Sequence, residues 1–153
     1  KVSMEEKRSG SLLYDPRALN DLIKAELSPA DGWQPQKPRL TLTRELEHYL
    51  DGYEHSNTKR PAGFLVGDFL KDGVGVEVQF GKYAFISYDI LGKMAIFKKK
   101  GLIEAGVEIV PSHRMRETMS SGIGSFEQII SLLTQAGVSD RDLPVVVFGI
   151  EQD

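Results

Sequence analysis

Apolar residues recur with helical spacing in four segments of the chain. In the first segment they are Leu19, Leu22, Ile23 and Leu27, and the Asp15-Pro16 pair supplies a cap and first turn. The second, "LTRELEHYLDGY", is predicted to begin at Thr41 or Thr43. The third, "KYAFISYDILGKMAIFKKKG", predicts a long helix that ends near Gly101. The fourth, "SFEQIISLLTQAG", opens with the Ser-x-x-Gln spacing of a capping box.

Short apolar runs between these helices predict strands. "AGFLVGDFL" and "VGVEVQF" flank Lys71, Asp72 and Gly73, and Asp-Gly is a strong hairpin signal. "VEIVPS", stopped by Pro111, and "LPVVVFGI" are two further strands, whereas "SPADGWQPQKPR" and "PSHRMRETMSSGIGS" are predicted loops. The order α-α-β-β-α-β-α-β indicates one α/β domain with a mixed sheet, because its first two strands form a hairpin.

The hairpin carries acidic residues whose register follows from the turn. If Asp72 and Gly73 are the central turn residues, Asp68 lies opposite Glu77, with Cβ atoms roughly 4.5–5.5 Å apart. Gln79 shares the face of Glu77 because side chains alternate along a strand. The other face carries Val76, Val78 and Phe80, which are expected to form the core against the long helix.

Two carboxylates that face each other repel unless a cation lies between them. Mg²⁺ is a suitable cation, because it takes oxygen ligands from one or two carboxylates and keeps several waters. Asp68 and Glu77 are the expected ligands, and the backbone carbonyl of Val78 is a further one. The alternative is a hairpin whose acids point into solvent, and the residue pattern alone leaves both open.

Composition describes an ordinary globular protein: 153 residues, 41% hydrophobic and 27% charged, with no cysteine. The sequence shows no signal peptide and no apolar run near the roughly 20 residues that cross a membrane, so a cytoplasmic location is expected. The formal charge of −3 argues against a generic nucleic-acid binder. Basic side chains gathered in one cleft are nevertheless compatible with an acidic exterior.

The spacing Asp-(eight residues)-Glu-X-Gln on a hairpin before a helix resembles the PD-(D/E)XK nuclease motif, with Gln79 in place of the usual lysine. "EVQFGKYAF" and "VEIVPSHRMRETMSSG" resemble the BglII/BstYI family of type II restriction endonucleases. The similarity covers roughly residues 45 to 150. The acidic motif alone is weak, but its occurrence in order with "QFGKY" and "MSSG" is much more specific.

This resemblance implies a restriction-endonuclease-like α/β core, with a mixed sheet flanked by helices. It implies a Mg²⁺-dependent enzyme that cuts double-stranded DNA as a homodimer, at a short palindrome containing GATC, alongside a DNA methyltransferase of the same specificity. Asp68 and Glu77 would hold the metal ion and Gln79 would orient the attacking water. Because a glutamine amide does not titrate usefully, the proton must leave through the metal or to a substrate phosphate.

Other residues are candidates with simpler explanations beside them. The nuclease resemblance allows an auxiliary acid on the helix before the hairpin, and Glu47 rather than Glu45 is the candidate for it, although a solvated helix face is the favoured explanation. Lys82 is expected to contact a phosphate or a base edge. In the polar loop, two arginines are expected to contact phosphates or guanine edges, and two serines are expected to contact bases of either type. These four are Arg114, Arg116, Ser120 and Ser121. The alternative is a surface loop whose serines cap the next helix.

The chain is expected to form one domain over 1–153, with a helical N-terminal part to about residue 50 and a catalytic core from about residue 51. Two alternatives to a restriction enzyme remain open on this fold. One is a nuclease of DNA repair or another role, and the other is a catalytically weak DNA-binding domain. An intact set of Asp68, Glu77 and Gln79 favours an enzyme over the catalytically weak DNA-binding domain.

Overall fold

The computed structural model of the protein describes residues 4–6, 12–42, 63–137 and 143–151. The α-helices in these ranges are α1 (Pro16–Glu26), α2 (Tyr83–Tyr88), α3 (Ala95–Lys99), α4 (His113–Glu117) and α5 (Phe126–Gln135). The strands are β1 (Met4–Glu6), β2 (Leu12–Tyr14), β3 (Gln34–Pro35), β4 (Arg39–Leu42), β5 (Gly63–Val66), β6 (Phe69–Lys71), β7 (Val74–Val78), β8 (Ala105–Pro111) and β9 (Val145–Ile150).

A five-stranded mixed sheet organises the fold in the order β3-β6-β7-β8-β9. The first three strands are antiparallel neighbours, whereas β7, β8 and β9 run parallel. Two smaller antiparallel pairs, β1-β2 and β4-β5, lie outside this sheet. The predicted α/β class with a mixed sheet flanked by helices is therefore confirmed.

The β6-β7 hairpin has the predicted register, with Lys71 opposite Val74 and Leu70 opposite Gly75. Its turn residues Asp72 and Gly73 both have positive φ, at 48° and 78°. Asparagine, aspartate and glycine tolerate this conformation best, so the Asp-Gly pair fixes both the turn and the strand pairing.

One continuous helix covers the face of the sheet that carries Glu77. It consists of α2, a π-helical segment (Asp89–Met94) and α3, and it ends before Gly101, as the sequence predicts. Its apolar side chains form a core with β8 and α5 whose buried members are Leu65, Ile86, Ile90, Met94, Phe97, Ile103, Val110, Ile129 and Leu143. A second core, on the opposite face, contains Leu19, Phe80, Met115, Met119 and Ile123.

The expectation that Val78 and Phe80 pack against the long helix is wrong. Phe80 lies in the second core, and Val78 packs against that core with α1 and α4. The long helix instead covers the face that carries Glu77. Alternation along the strand separates the two faces correctly, but β7 is a central strand with both faces covered, so either face can meet the helix.

Two local predictions also change. Thr41 lies in β4, opposite Phe64 of β5, so the predicted second helix does not begin there, and its residues from 43 onward lie outside the described ranges. Backbone pairing with β5 gives this β-branched residue an extended environment that suits it. The predicted loop after Pro111 contains α4, whose first turn is capped by the Ser112 hydroxyl, at 3.1 Å from the Met115 nitrogen.

In the described ranges, helices α1 to α5 are each too short or too polar to cross a membrane.

Candidate active site

Asp68 stands at the entrance to the β6-β7 hairpin, where its carboxylate bonds to the partner strand. Its Oδ2 accepts a hydrogen bond of 2.9 Å from the backbone N–H of Val78. The N–H and C=O of one residue in a strand point to the same edge. The Val78 carbonyl therefore lies on the Asp68 side of β7, which is the position that the predicted metal site requires.

Glu77 projects from β7 into a nearly closed environment, and only 3% of the residue is exposed. Its Oε2 lies 2.8 Å from the Lys93 Nζ. The same ammonium lies 2.8 Å from Asp89 Oδ1. The π-helical segment of the long helix supplies both Asp89 and Lys93, four residues apart, so this lysine bridges helix and sheet across the acidic face.

The amide of Gln79 is held at both ends by the chain. Its Nε2 donates to Asp89 Oδ2 at 3.2 Å, and its Oε1 accepts from the Gly81 backbone N–H at 2.8 Å. These bonds fix the side chain just beyond the last residue of β7. One amide hydrogen and one carbonyl lone pair are left for a substrate or a water.

Burial is the main influence on the charge state of this cluster. It raises the pKa of Glu77 from 4.5 to about 8, against the lowering effect of the Lys93 ammonium, and the neighbouring Asp68 and Asp89 raise it further. Burial acts to lower the pKa of Lys93, but Glu77 and Asp89 outweigh it and hold this pKa above its ordinary value. The lysine is therefore charged, and Glu77 binds a proton over much of the neutral range.

Glu108 adds a fourth carboxyl group beside Glu77. The two residues are direct neighbours on the parallel strands β7 and β8. Glu108 is fully buried, and neither of its side-chain oxygens has a hydrogen-bond partner among the described residues. Burial raises its pKa well above the ordinary value, and the charges of Asp89 and Glu77 add to this effect.

Replacing Glu108 with glutamine is expected to stabilise the metal-free protein at pH 8. Because the folded-state pKa is raised, the native state keeps a proton that the unfolded chain releases above about pH 4.5, so wild-type stability falls as pH rises. Glutamine has the same shape and cannot ionise. Urea unfolding in EDTA should show E108Q to be more stable than the wild type at pH 8, with a smaller difference at pH 5.

The exposed Glu104→Gln variant is the control, because it makes the same chemical change just before the same strand. It should leave the free energy of unfolding unchanged. A variant E108Q that is less stable than the wild type at pH 8 would show that the buried carboxylate is ionised and paired.

The donor atoms at this place suit a hard divalent ion. Asp68 and Glu77 each keep one carboxylate oxygen outside the hydrogen bonds described above, and the Val78 carbonyl lies on the same edge. Mg²⁺ is usually bound through one or two carboxylates, with water in its other positions. Within the described residues, no three acidic or histidine side chains are close enough to enclose an ion by themselves.

The chain brings two of the predicted DNA-contacting segments next to this cluster. Lys82, just after Gln79, forms a β-bridge with Ile123. The Tyr83 N–H donates to the Gly122 carbonyl at 3.0 Å. The "MSSG" loop with Ser120 and Ser121 is thereby attached to the segment that follows β7, and Lys82 and Ser121 are both exposed.

The remaining predicted residues lie differently. Arg114 is on α4, and its guanidinium lies 3.3 Å from the Glu151 carboxylate. Arg116 is on the same helix and half-buried. Glu47 lies outside the described residues, so its expected role stays a prediction.

Sequence reasoning missed Asp89, Lys93 and Glu108. The signal for the first two was a pair of opposite charges four residues apart within an otherwise buried helix face. The signal for Glu108 was one acid in the apolar run "VEIV" of a strand expected to be buried. A charged residue in such a place is rarely buried without a partner or a function.

Comparison with known protein families adds an independent finding. The family model "Restriction endonuclease BglII/BglIII" matches residues 1–150, almost the entire chain. A search of curated proteins gave no significant match.

Among solved structures, the chain resembles a crystal structure of restriction endonuclease BglII complexed with a DNA 16-mer. The TM-score is 0.72 at 23% sequence identity, so the likeness shows a shared fold. The match covers 99% of this chain and 64% of that chain, which means that this chain spans less than two thirds of the solved protein.

Proposed function

Because the chain belongs to the BglII/BglIII restriction endonuclease family, we propose that it is a type II endonuclease that hydrolyses phosphodiester bonds of double-stranded DNA. We propose Mg²⁺ as its cofactor, a homodimer as its active form and a short palindrome containing GATC as its site. The DNA 16-mer bound to the structurally similar BglII supports DNA as the substrate.

One observation carries this proposal: Asp68, Glu77 and Gln79 converge at the end of the β6-β7 hairpin, next to an exposed lysine and a polar loop. Cleavage requires oxygen ligands for a cation and a fixed polar group for the attacking water. Recognition of DNA requires hydrogen-bond donors close to the phosphate that is cleaved. The chain supplies these parts from adjoining segments.

In this proposal, each site residue has a physical role. Asp68 and Glu77, with the Val78 carbonyl, hold the ion, which supplies an activated water and neutralises charge on the phosphate. Gln79 is fixed by Asp89 and Gly81, so its free amide hydrogen or lone pair can orient that water without any rearrangement. Gln79 does not act as a base, because its amide does not titrate near neutral pH.

Recognition is proposed for the exposed groups around the strand end. Lys82 contacts a phosphate or a base edge, and Ser120 and Ser121 read base edges from the attached loop. Arg114 and Arg116 lie on α4. Arg114 would have to break its hydrogen bond to Glu151 before it could contact DNA. A partner methyltransferase and a cytoplasmic location stay predictions.

The test is digestion of a plasmid that contains many GATC hexamers, with Mg²⁺ and with EDTA, followed by sequencing of the ends. Discrete Mg²⁺-dependent fragments that share one palindrome are expected. A smear would instead indicate a nonspecific nuclease. Specific binding without cleavage would indicate a DNA-binding domain on this scaffold.

Replacing Lys82 with alanine is expected to weaken DNA binding with little effect on stability, because this side chain is exposed. If Lys82 contacts a phosphate, the slope of log affinity against log salt should fall by about one. Fluorescence anisotropy in EDTA measures binding without cleavage. The exposed Lys100→Ala variant is the control, and an equal salt slope for K82A and wild type would contradict the contact.

A further inference from the structure

The arrangement of Lys93 sets it apart from an ordinary surface lysine. Its side chain is only 13% exposed, and its ammonium lies 2.8 Å from both Glu77 Oε2 and Asp89 Oδ1. Glu77 and Asp89 are themselves nearly closed to solvent. The ammonium is therefore a fixed positive charge between two carboxylates. A position between two carboxylates is also one that a small cation prefers.

The acidic groups in this cluster outnumber its one ammonium. Glu77, the partner of Lys93 on β7, has three further acids near it that come from different elements: Asp68 before β6, Glu108 on β8 and Asp89 on the helix of Lys93. One ammonium would not neutralise four ionised carboxylates, so the cluster must take up protons or further positive charge. Glu108, fully buried with both oxygens unpaired among the described residues, is an independent sign that the cluster accommodates further positive charge or protons.

Lys93 and a divalent ion would use the same carboxylate. Glu77 is a proposed ligand of the ion, and its Oε2 is the oxygen that accepts from Lys93. An ammonium and a divalent cation repel each other strongly at the short separation that shared binding imposes. An ion on the other oxygen, Oε1, would be bound against the repulsion of the ammonium on Oε2, and movement of the lysine away from Glu77 relieves that repulsion.

Asp89 offers the lysine a place to remain. It lies four residues before Lys93 on the same helix, so its contact with the ammonium does not depend on the sheet. Its other oxygen accepts from Gln79. Departure of the ammonium from Glu77 would thus leave the Lys93-Asp89 pair and the bond that fixes Gln79 in place.

We propose that Lys93 is a positioning residue that acts as an internal cation: it holds Glu77 in the metal-free protein and competes with the divalent ion for this carboxylate. This inference rests on the proposed function, since it assumes that Glu77 binds the ion. Its consequence is that Lys93 lowers the affinity of the free protein for metal, and that binding moves the ammonium off Glu77.

The test uses Mn²⁺ and the full, DNA-free chain at pH 8.5, with binding measured by titration calorimetry. Lys93→Met removes the charge but also lets Glu77 keep its proton to higher pH. After correction for that proton, which calorimetry in buffers of different ionisation enthalpy counts, Lys93→Met is expected to bind Mn²⁺ about tenfold more tightly than the wild type, because the repulsion is lost. Lys93→Arg keeps the charge and should stay within about threefold of the wild type. Lys99→Met, an exposed change on the same helix, should match the wild type.

A second measurement needs no variant, so it holds even if Lys93→Met does not fold. Acetic anhydride labels lysines according to their accessibility, and mass spectrometry reads each site. Without metal, Lys93 should react more slowly than Lys99. Saturating Mn²⁺ should accelerate labelling of Lys93 several-fold and leave Lys99 unchanged.

The outcomes separate this inference from the proposed function. The inference is overturned if wild type and Lys93→Met bind Mn²⁺ with equal affinity, or if bound Mn²⁺ does not change the labelling rate of Lys93. Either result leaves the proposed metal site intact. Loss of binding in Asp68→Asn alongside normal binding in the wild type supports that site separately. No binding by any protein at millimolar Mn²⁺ overturns both.

Discussion

Replacing Asp68 with asparagine is expected to reduce DNA cleavage by at least about a thousandfold while specific DNA binding is kept. The amide keeps the size of the side chain and can still accept from the Val78 N–H through its oxygen. It loses the negative charge that a divalent ion requires. Single-turnover cleavage in Mg²⁺ and anisotropy in EDTA measure the two effects separately.

Asp72→Asn is the matched control, because it makes the same substitution in the same hairpin. Asp72 is exposed in the turn, and asparagine tolerates its φ of 48°. D72N should cleave at the wild-type rate. Equal cleavage by D68N and D72N would show that Asp68 has no role in the reaction. Loss of DNA binding in D68N would show that its role is structural.

The hairpin could be predicted from the sequence because its constraints are local. Asp72 and Gly73 supply the two positive φ angles of the turn, and the turn then determines every pairing back to Asp68 and Glu77. Alternation along β7 separates the acidic face from the face of Val78. These inferences need no knowledge of the remaining chain.

The partner of each face could not be predicted in the same way. Glu77 was expected on an open face, with the long helix against Val78 and Phe80. In the structure the helix covers Glu77, and Phe80 packs with α1 and α4. β7 is a central strand of a mixed sheet with both faces covered, so its alternation does not identify which helix covers which face.

The lysine of the site was missed for a related reason. Asp89 and Lys93 lie in a helix whose buried positions dominate the pattern, and the π-helical segment alters the regular spacing. Such segments are frequent at functional sites, but a sequence does not reveal them. Gln79 replaces the lysine expected in the strand motif, and the structure has a lysine ammonium within 2.8 Å of Glu77 from another element.

The acidic composition of the chain acquires a local explanation. Asp68, Asp89 and Glu108 lie near Glu77 and its partner Lys93, where a divalent ion would offset negative charge. Lys82, by contrast, is exposed beside them, so the basic group faces solvent and the acids lie inward. A net charge of −3 is thus compatible with DNA binding at this edge.

The affinity of the DNA-free protein for Mn²⁺ is expected to rise about tenfold per pH unit between pH 6 and 8 and to level off above. Burial raises the pKa of Glu77 to about 8, so below this pH the carboxyl keeps a proton that the ion must displace. One proton released per ion gives a slope of one. Calorimetry in buffers of different ionisation enthalpy should count that proton.

Glu77→Gln is the variant that tests the assignment. It should bind Mn²⁺ weakly at every pH and without the slope, because its side chain has no proton to release. Asp68, Asp89 and Lys93 act on the charge of Glu77 from neighbouring elements, Glu108 lies beside it on β8, and only the lysine favours its ionised form. A wild-type affinity that does not change between pH 6 and 8 would therefore show that the Lys93 ammonium keeps Glu77 ionised despite its burial.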